Sequence, residues 1–85
     1  MRRTLREVSP GLYVPPLAPD PCCARARHQV QRFRRGQRNY TRLQERGSGY
    51  LKINIGCFWR LLSRDRGETW ELMSHERYNR EMRKV

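Results

Sequence analysis

The run Ser74-His75-Glu76-Arg77-Tyr78-Asn79, with Arg60 and Lys52 upstream of it, gathers an imidazole, cations and a phenol near one end of the chain. Cleavage of a phosphodiester needs a group to take the attacking hydroxyl's proton, a cation on the phosphate and an acid for the leaving oxygen. An unperturbed imidazole has a pKa of about 6.5, which makes a histidine such as His75 suited by type to either proton role; its bland alternative is packing or capping at the start of a last helix. Arg60, flanked by Trp59 and Leu61, projects from the opposite sheet face to theirs. There it either clamps a phosphate by a bidentate contact or pairs with Glu71 on the neighbouring strand. Tyr78 follows His75 by three residues, so a helix places both on one side. Its ring either stacks on a base or packs beside Met82. Glu71 and Glu76 either serve His75 as a base or balance arginines.

These groups depend on three stretches of alternating character. Tyr50–Ile55 sets Leu51, Ile53 and Ile55 on one face and Tyr50, Lys52 and Asn54 on the other, a half-buried strand. Lys52 is thereby a candidate phosphate contact or a solvated lysine. Gly56 turns the chain into Cys57–Ser63, apolar on both faces like a central strand. Asp65-Arg66-Gly67 reads as a hairpin loop before a third strand, Glu68–Met73, with Trp70 and Leu72 inward. Both tryptophans read as core residues. Ser74 is placed to cap a closing helix that carries Tyr78 and Met82.

Upstream, Asp20-Pro21 is a helix start, the carboxylate capping and the proline opening the first turn. Cys22, Ala26, Val30 and Phe33 then recur at helical spacing until Gly36. Asn39–Glu45 reads as a second short helix with Tyr40 and Leu43 on one side, and Arg46-Gly47-Ser48-Gly49 as a loop. Residues 1–19 hold Pro10, Pro15, Pro16 and Pro19 and read as an extended arm, which leaves residues 20–85 as a single domain. The expected fold is α+β: a helical hairpin packed on a small twisted antiparallel sheet of three to four strands, with a short C-terminal helix.

Of the chain's 85 residues, 19 are basic and 8 acidic, for a net charge of +11, and every basic residue except Lys52 and Lys84 is an arginine. Guanidinium offers phosphates and carboxylates a planar fork, so the composition points to a polyanionic partner or to arginine-biased codon usage. The charge is densest between Pro21 and Arg46, where eight arginines face one acid, Glu45. Arg25, Arg27, Arg32, Arg34, Arg35, Arg38 and Arg42, with Lys52, form the candidate nucleic-acid or partner surface. Cys22, Cys23 and Cys57 are odd in number and two are adjacent, which argues against a disulfide framework and for a reducing cytoplasm. With no C-x-x-C pair and no ligand spacing at His28 or His75, neither a metal nor a cofactor is expected. No run is apolar enough for a membrane span, and the prolines after Arg2 and Arg3 do not suit a secretory leader.

With its elements in place, the pattern resembles the RelE/ParE superfamily of small bacterial toxins, most closely its ParE-like branch. The residues that carry the resemblance are Tyr50-Leu51-Lys52-Ile53-Asn54-Ile55, Trp59-Arg60-Leu61-Leu62, and Trp70-Glu71-Leu72-Met73 with the run through Asn79. The resemblance covers roughly residues 20 to 83 and implies a layout similar to microbial ribonucleases. It implies the toxin of a type II toxin–antitoxin system, which either cleaves messenger RNA on the ribosome without a metal or poisons DNA gyrase. An acidic antitoxin is the implied partner. His75, Arg60 and Tyr78 are the implied catalytic set if the chain is an endoribonuclease, whereas gyrase poisoning requires no catalytic group. The competing class is a non-enzymatic basic protein of phage or prophage type that binds nucleic acid or inhibits a host machine. The proline-rich N-terminus and Cys57-Phe58 depart from the family pattern.

Overall fold

A computed structural model of the chain describes residues 5–43 and 49–83. In order, β1 (Arg6–Ser9) and β2 (Leu12–Val14) precede α1 (Asp20–Arg34). Then come β3 (Thr41–Arg42), β4 (Leu51–Ile55), β5 (Trp59–Ser63), β6 (Trp70–Ser74) and α2 (His75–Arg83). The strands form one mixed sheet in the order β1-β2-β6-β5-β4-β3. The α+β class stands, but the sheet has six strands instead of three or four.

The alternation read in β4 and β6 sets the two faces. Leu51, Ile53 and Ile55 pair in register with Ser63, Leu61 and Trp59. Leu72, opposite Leu61, continues that face, and α1 covers it with Ala26 and Val30. The opposite face carries Leu62 and Met73, and there Tyr78 of α2 joins Leu43 in a second, smaller cluster with Tyr50 and Met82 packed against it. Burial of one large apolar side chain contributes about 1.5–3 kcal/mol, so the larger cluster under α1 carries most of the stability.

Three expectations change. Within Asn39–Glu45, the described residues contain a strand and no helix: Thr41 and Arg42 pair antiparallel with Lys52 and Leu51. Tyr40 packs on the α1 side against the larger cluster while Leu43 enters the smaller one. Residues three apart face opposite ways on a strand and together on a helix, so the two-sided burial requires the strand and removes the helical hairpin. The expected loop at residues 46–49 lies outside the described residues except for Gly49.

The proline-rich stretch is expected as an extended arm outside the domain, but its described part is built into the sheet. β1 and β2 form a hairpin around Pro10-Gly11, and β2 pairs parallel with β6, Leu12 against Trp70. Leu12 and Val14 are completely buried. Gly11 makes this docking feasible: at φ +78 its carbonyl accepts the Trp70 amide at 2.7 Å. A Cβ there would stand 2.7 Å from the Glu68 carbonyl oxygen. The third change is at the α1 start, where Pro19 occupies the capping position without a side-chain cap and Asp20 lies inside the first turn. Its carboxylate still favours the positive end of the helix dipole.

The β5–β6 turn is held more tightly than its exposed sequence suggests. Ser63 is fully buried; its hydroxyl accepts the Gly67 amide at 2.7 Å and donates to Asp65 Oδ1 at 2.9 Å. Arg66 and Gly67 both take left-handed backbone angles, φ 64 and 90. A Cβ on Gly67 would lie 2.3 Å from the Phe33 ring. Gly67→Ala therefore combines backbone strain with overpacking and is expected to destabilise by about 2–4 kcal/mol, read as a lower midpoint in urea with loss of near-UV aromatic signal. A chain started at Asp20 forfeits the burial of Leu12 and Val14, about 3–6 kcal/mol together. That is comparable with the whole stability of a small domain, so the shortened chain should be unfolded by circular dichroism.

Candidate functional site

Of the three candidate catalytic residues, Arg60 lies in β5 just after the β4–β5 turn and His75 and Tyr78 lie on α2, but their side chains are differently engaged. α2 begins directly where β6 ends, with Ser74 Oγ accepting the Arg77 amide at 3.2 Å in the expected cap. His75 donates its backbone amide to the Phe58 carbonyl at 2.7 Å, and its ring lies against the Phe58 ring, centroids 5.9 Å apart. Its Nδ1 is buried without a hydrogen-bond partner. Phe58 itself is 66% exposed, so Cys57-Phe58 belong to a turn and not to a central strand.

Arg60 projects from the sheet face opposite Trp59 and Leu61, as the alternation requires. Its guanidinium turns back to the main chain, donating to the Trp59 carbonyl at 2.9 Å and the Cys57 carbonyl at 3.3 Å. Glu71, the cross-strand partner considered for it, is bound instead by Arg64 at 3.1 Å, and Arg64 also reaches Glu81 of α2 at 3.5 Å. Arg77 makes a shorter pair with Glu81, 2.8 Å, one turn along the helix. Arg64 is 40% exposed, so solvent screens its bridge and its role is mainly to fix the angle of α2 on the hairpin.

Tyr78 is buried in the smaller cluster, and Lys52 Nζ sits 5.7 Å from its ring centroid. This cation–π contact defines both residues better than a phosphate groove does: the lysine is half-buried over an aromatic face. Lys52 also lies on the opposite sheet face from α1. The expected basic surface is therefore divided. Arg25, Arg27 and Arg34 stand exposed on α1, with Arg35 exposed at its C-cap and Arg38 and Arg42 exposed beyond it. Arg32 is half-buried and bonded to Gln37, and Arg34 reaches the Pro10 carbonyl at 2.7 Å, tying α1 to the N-terminal hairpin.

Among the described residues no cluster of His, Cys, Asp or Glu is arranged to hold a metal, and no helix is long and apolar enough to cross a membrane. Cys23 is buried on the inward side of α1, and that desolvation raises its thiol pKa against the pull of Arg6. This is the setting of an inert cysteine. Trp70 was legible as core, but its connections were not: the indole Nε1 donates to the Gly67 carbonyl at 3.1 Å and the ring meets Phe33 edge-on. Phe33 in turn meets Tyr40 edge-on at 5.3 Å.

A family model described as the ParE-like toxin domain matches residues 20–80, from the first residue of α1 into α2. The chain belongs to that family. No curated protein and no solved structure gives a significant match. The match to the ParE-like toxin domain begins after the β1–β2 hairpin, although the hairpin supplies two of its fully buried side chains. Family membership implies an antitoxin partner in general terms.

Acid stability offers a check on the hairpin that presents Arg64 and Arg66 beside this domain. Burial alone would raise the Asp65 pKa, but the Thr69 amide and hydroxyl and the Ser63 hydroxyl bond its carboxylate and hold the value below normal. A depressed pKa contributes stability above the unfolded value, about 3.9, and loses it as pH falls through the folded value. Asp65→Ala should therefore melt below the wild type at neutral pH, and the gap should close on acidification below about pH 3.9.

Proposed function

We propose that this ParE-like chain is the toxin of a type II toxin–antitoxin pair, acting in the bacterial cytoplasm by binding its target, DNA gyrase, without cleaving RNA. The single observation that carries this reading is the state of Tyr78, whose ring is buried under Lys52 in the smaller cluster. A phenol and a cation spent on each other are poorly disposed to engage a scissile phosphate. The posture of Arg60, folded onto carbonyls of its own turn, supports the same reading. The exposed arginines of α1 then serve as a recognition surface, for which an acidic antitoxin is the complementary cover.

One observation favours the second reading, ribosome-dependent messenger RNA cleavage. His75 Nδ1 is buried and unpartnered, and both His75 and Arg60 contact the residues of the β4–β5 turn. A substrate that drew these two groups onto one phosphate would have a proton carrier beside a cation.

Induction of the chain alone should arrest growth, and co-expression of an acidic partner encoded beside it should restore growth. In the binding mode, His75→Ala and Arg60→Ala keep their toxicity within about threefold, whereas loss of a general acid–base group from a nuclease costs about 10²–10⁴-fold in rate. Survival of cells expressing either variant, with normal protein levels, would replace the gyrase reading by the nuclease reading.

A further inference from the structure

The face of the sheet covered by α1 ends in a cavity of about 380 Å³ lined by Phe33, Tyr40, Arg42, Gly49, Leu51 and Arg66. That volume falls within the about 300–1,000 Å³ typical of small-molecule sites. Its walls come from four places: the end of α1, β3 with the residue before it, β4 with Gly49, and the β5–β6 turn. The buried part of the aromatic wall is fixed by the edge-on contacts of Phe33 with Tyr40 and Trp70. Both rings are half-buried, and they reach the cavity as well as the core.

The two arginines distinguish this cavity from the others. Arg42 and Arg66 are exposed, and neither makes an ion pair among the described residues. Arg66 is nevertheless anchored, its amide bonded to the Gly49 carbonyl at 2.8 Å with φ 64. The second cavity of similar size, between Leu17, Trp59 and α2, is lined by an Arg77 already neutralised by Glu81 and by Arg80 together with the Glu76 carboxylate, so it offers one guanidinium beside an acid instead of two without one. The polar cavity beside Arg25 and His28 has no aromatic wall.

Two guanidinium groups with no ion pair among the described residues, lining one cavity with two aromatic rings, match a ligand with a planar π-system and a compact multiple negative charge. We propose that this cavity binds a nucleoside monophosphate unit, its base against Tyr40 and Phe33 and its phosphate on Arg42 and Arg66. The unit is either a free nucleotide or one residue of a single strand, and the chemistry of recognition is the same. Leu51, buried beneath, supplies an apolar floor that favours the base over a sugar or a metal-bound anion.

Calorimetric titration of the purified full chain at physiological salt tests this with adenosine 5′-monophosphate, adenosine, sodium phosphate and a short single-stranded oligoadenylate. The monophosphate should bind at least about tenfold more tightly than either adenosine or phosphate, because only it engages both walls. Arg66→Asn, which keeps a residue tolerant of the left-handed backbone, and Arg42→Gln should each weaken it about tenfold. Tyr40→Leu should remove the preference over inorganic phosphate, and Arg83→Ala, an equal loss of charge at the far end of α2, should change nothing. Circular dichroism confirms which variants are folded, and either arginine variant alone suffices for the test. If the oligoadenylate displaces the monophosphate, the site serves a nucleic-acid strand; if it does not, it serves a free nucleotide, and both results support the proposal. Binding no tighter than inorganic phosphate, or equal weakening by Arg83→Ala, would overturn it in favour of general charge attraction. The readout is binding by the isolated chain, so it succeeds or fails independently of growth arrest.

Discussion

Trp70 is the joint on which this fold turns. Its side chain is 1% exposed and lies in the cluster under α1. Its backbone amide holds the N-terminal hairpin through Gly11, its indole nitrogen closes the β5–β6 turn through Gly67, and its ring receives Phe33 of α1. The N-terminal hairpin, α1 and the β5–β6 turn therefore meet at one residue of β6. A thin domain of this size has little apolar area to distribute, so concentrating its connections on one large, amphipathic side chain is an effective arrangement.

The two faces of the sheet do different work as a result. The α1 face holds the larger cluster and, at its margin, the aromatic and guanidinium groups of the Phe33–Tyr40 cavity. The α2 face holds a smaller cluster whose aromatic residue, Tyr78, is engaged by Lys52, while Arg64 spans Glu71 and Glu81 at its border. Groups that looked chemically active in isolation are largely structural on this side. Arg42 and Arg66, which make no ion pair among the described residues, lie at the margin of the other.

Much of this was legible in the sequence where local pattern and burial coincide. The alternation of Leu51, Ile53 and Ile55, the helical recurrence of Ala26 and Val30, and the capping serine at 74 each carry their own signal. Tyr40 and Leu43 misled because a spacing of three satisfies a helix, and only the knowledge that they enter different clusters restores the strand. The N-terminal hairpin was hidden by the density of prolines around it. Its signal was the Pro10-Gly11 pair between two short apolar runs, a turn dipeptide with a mechanism. The ligands of Arg60, Glu71 and Lys52 were not legible at all, since they depend on which rotamers the packed sheet leaves open.

The parallel pairing of β2 with β6 also sets a timetable. Leu12 finds its partner at Trp70, so β1 and β2 wait for β6 before the sheet can close. During synthesis the hairpin emerges from the ribosome long before β6 does, and a contact of such sequence separation forms late and all at once. A growing chain thus carries its arginine-rich helix in the open, without the finished sheet behind it, until β6 has been made.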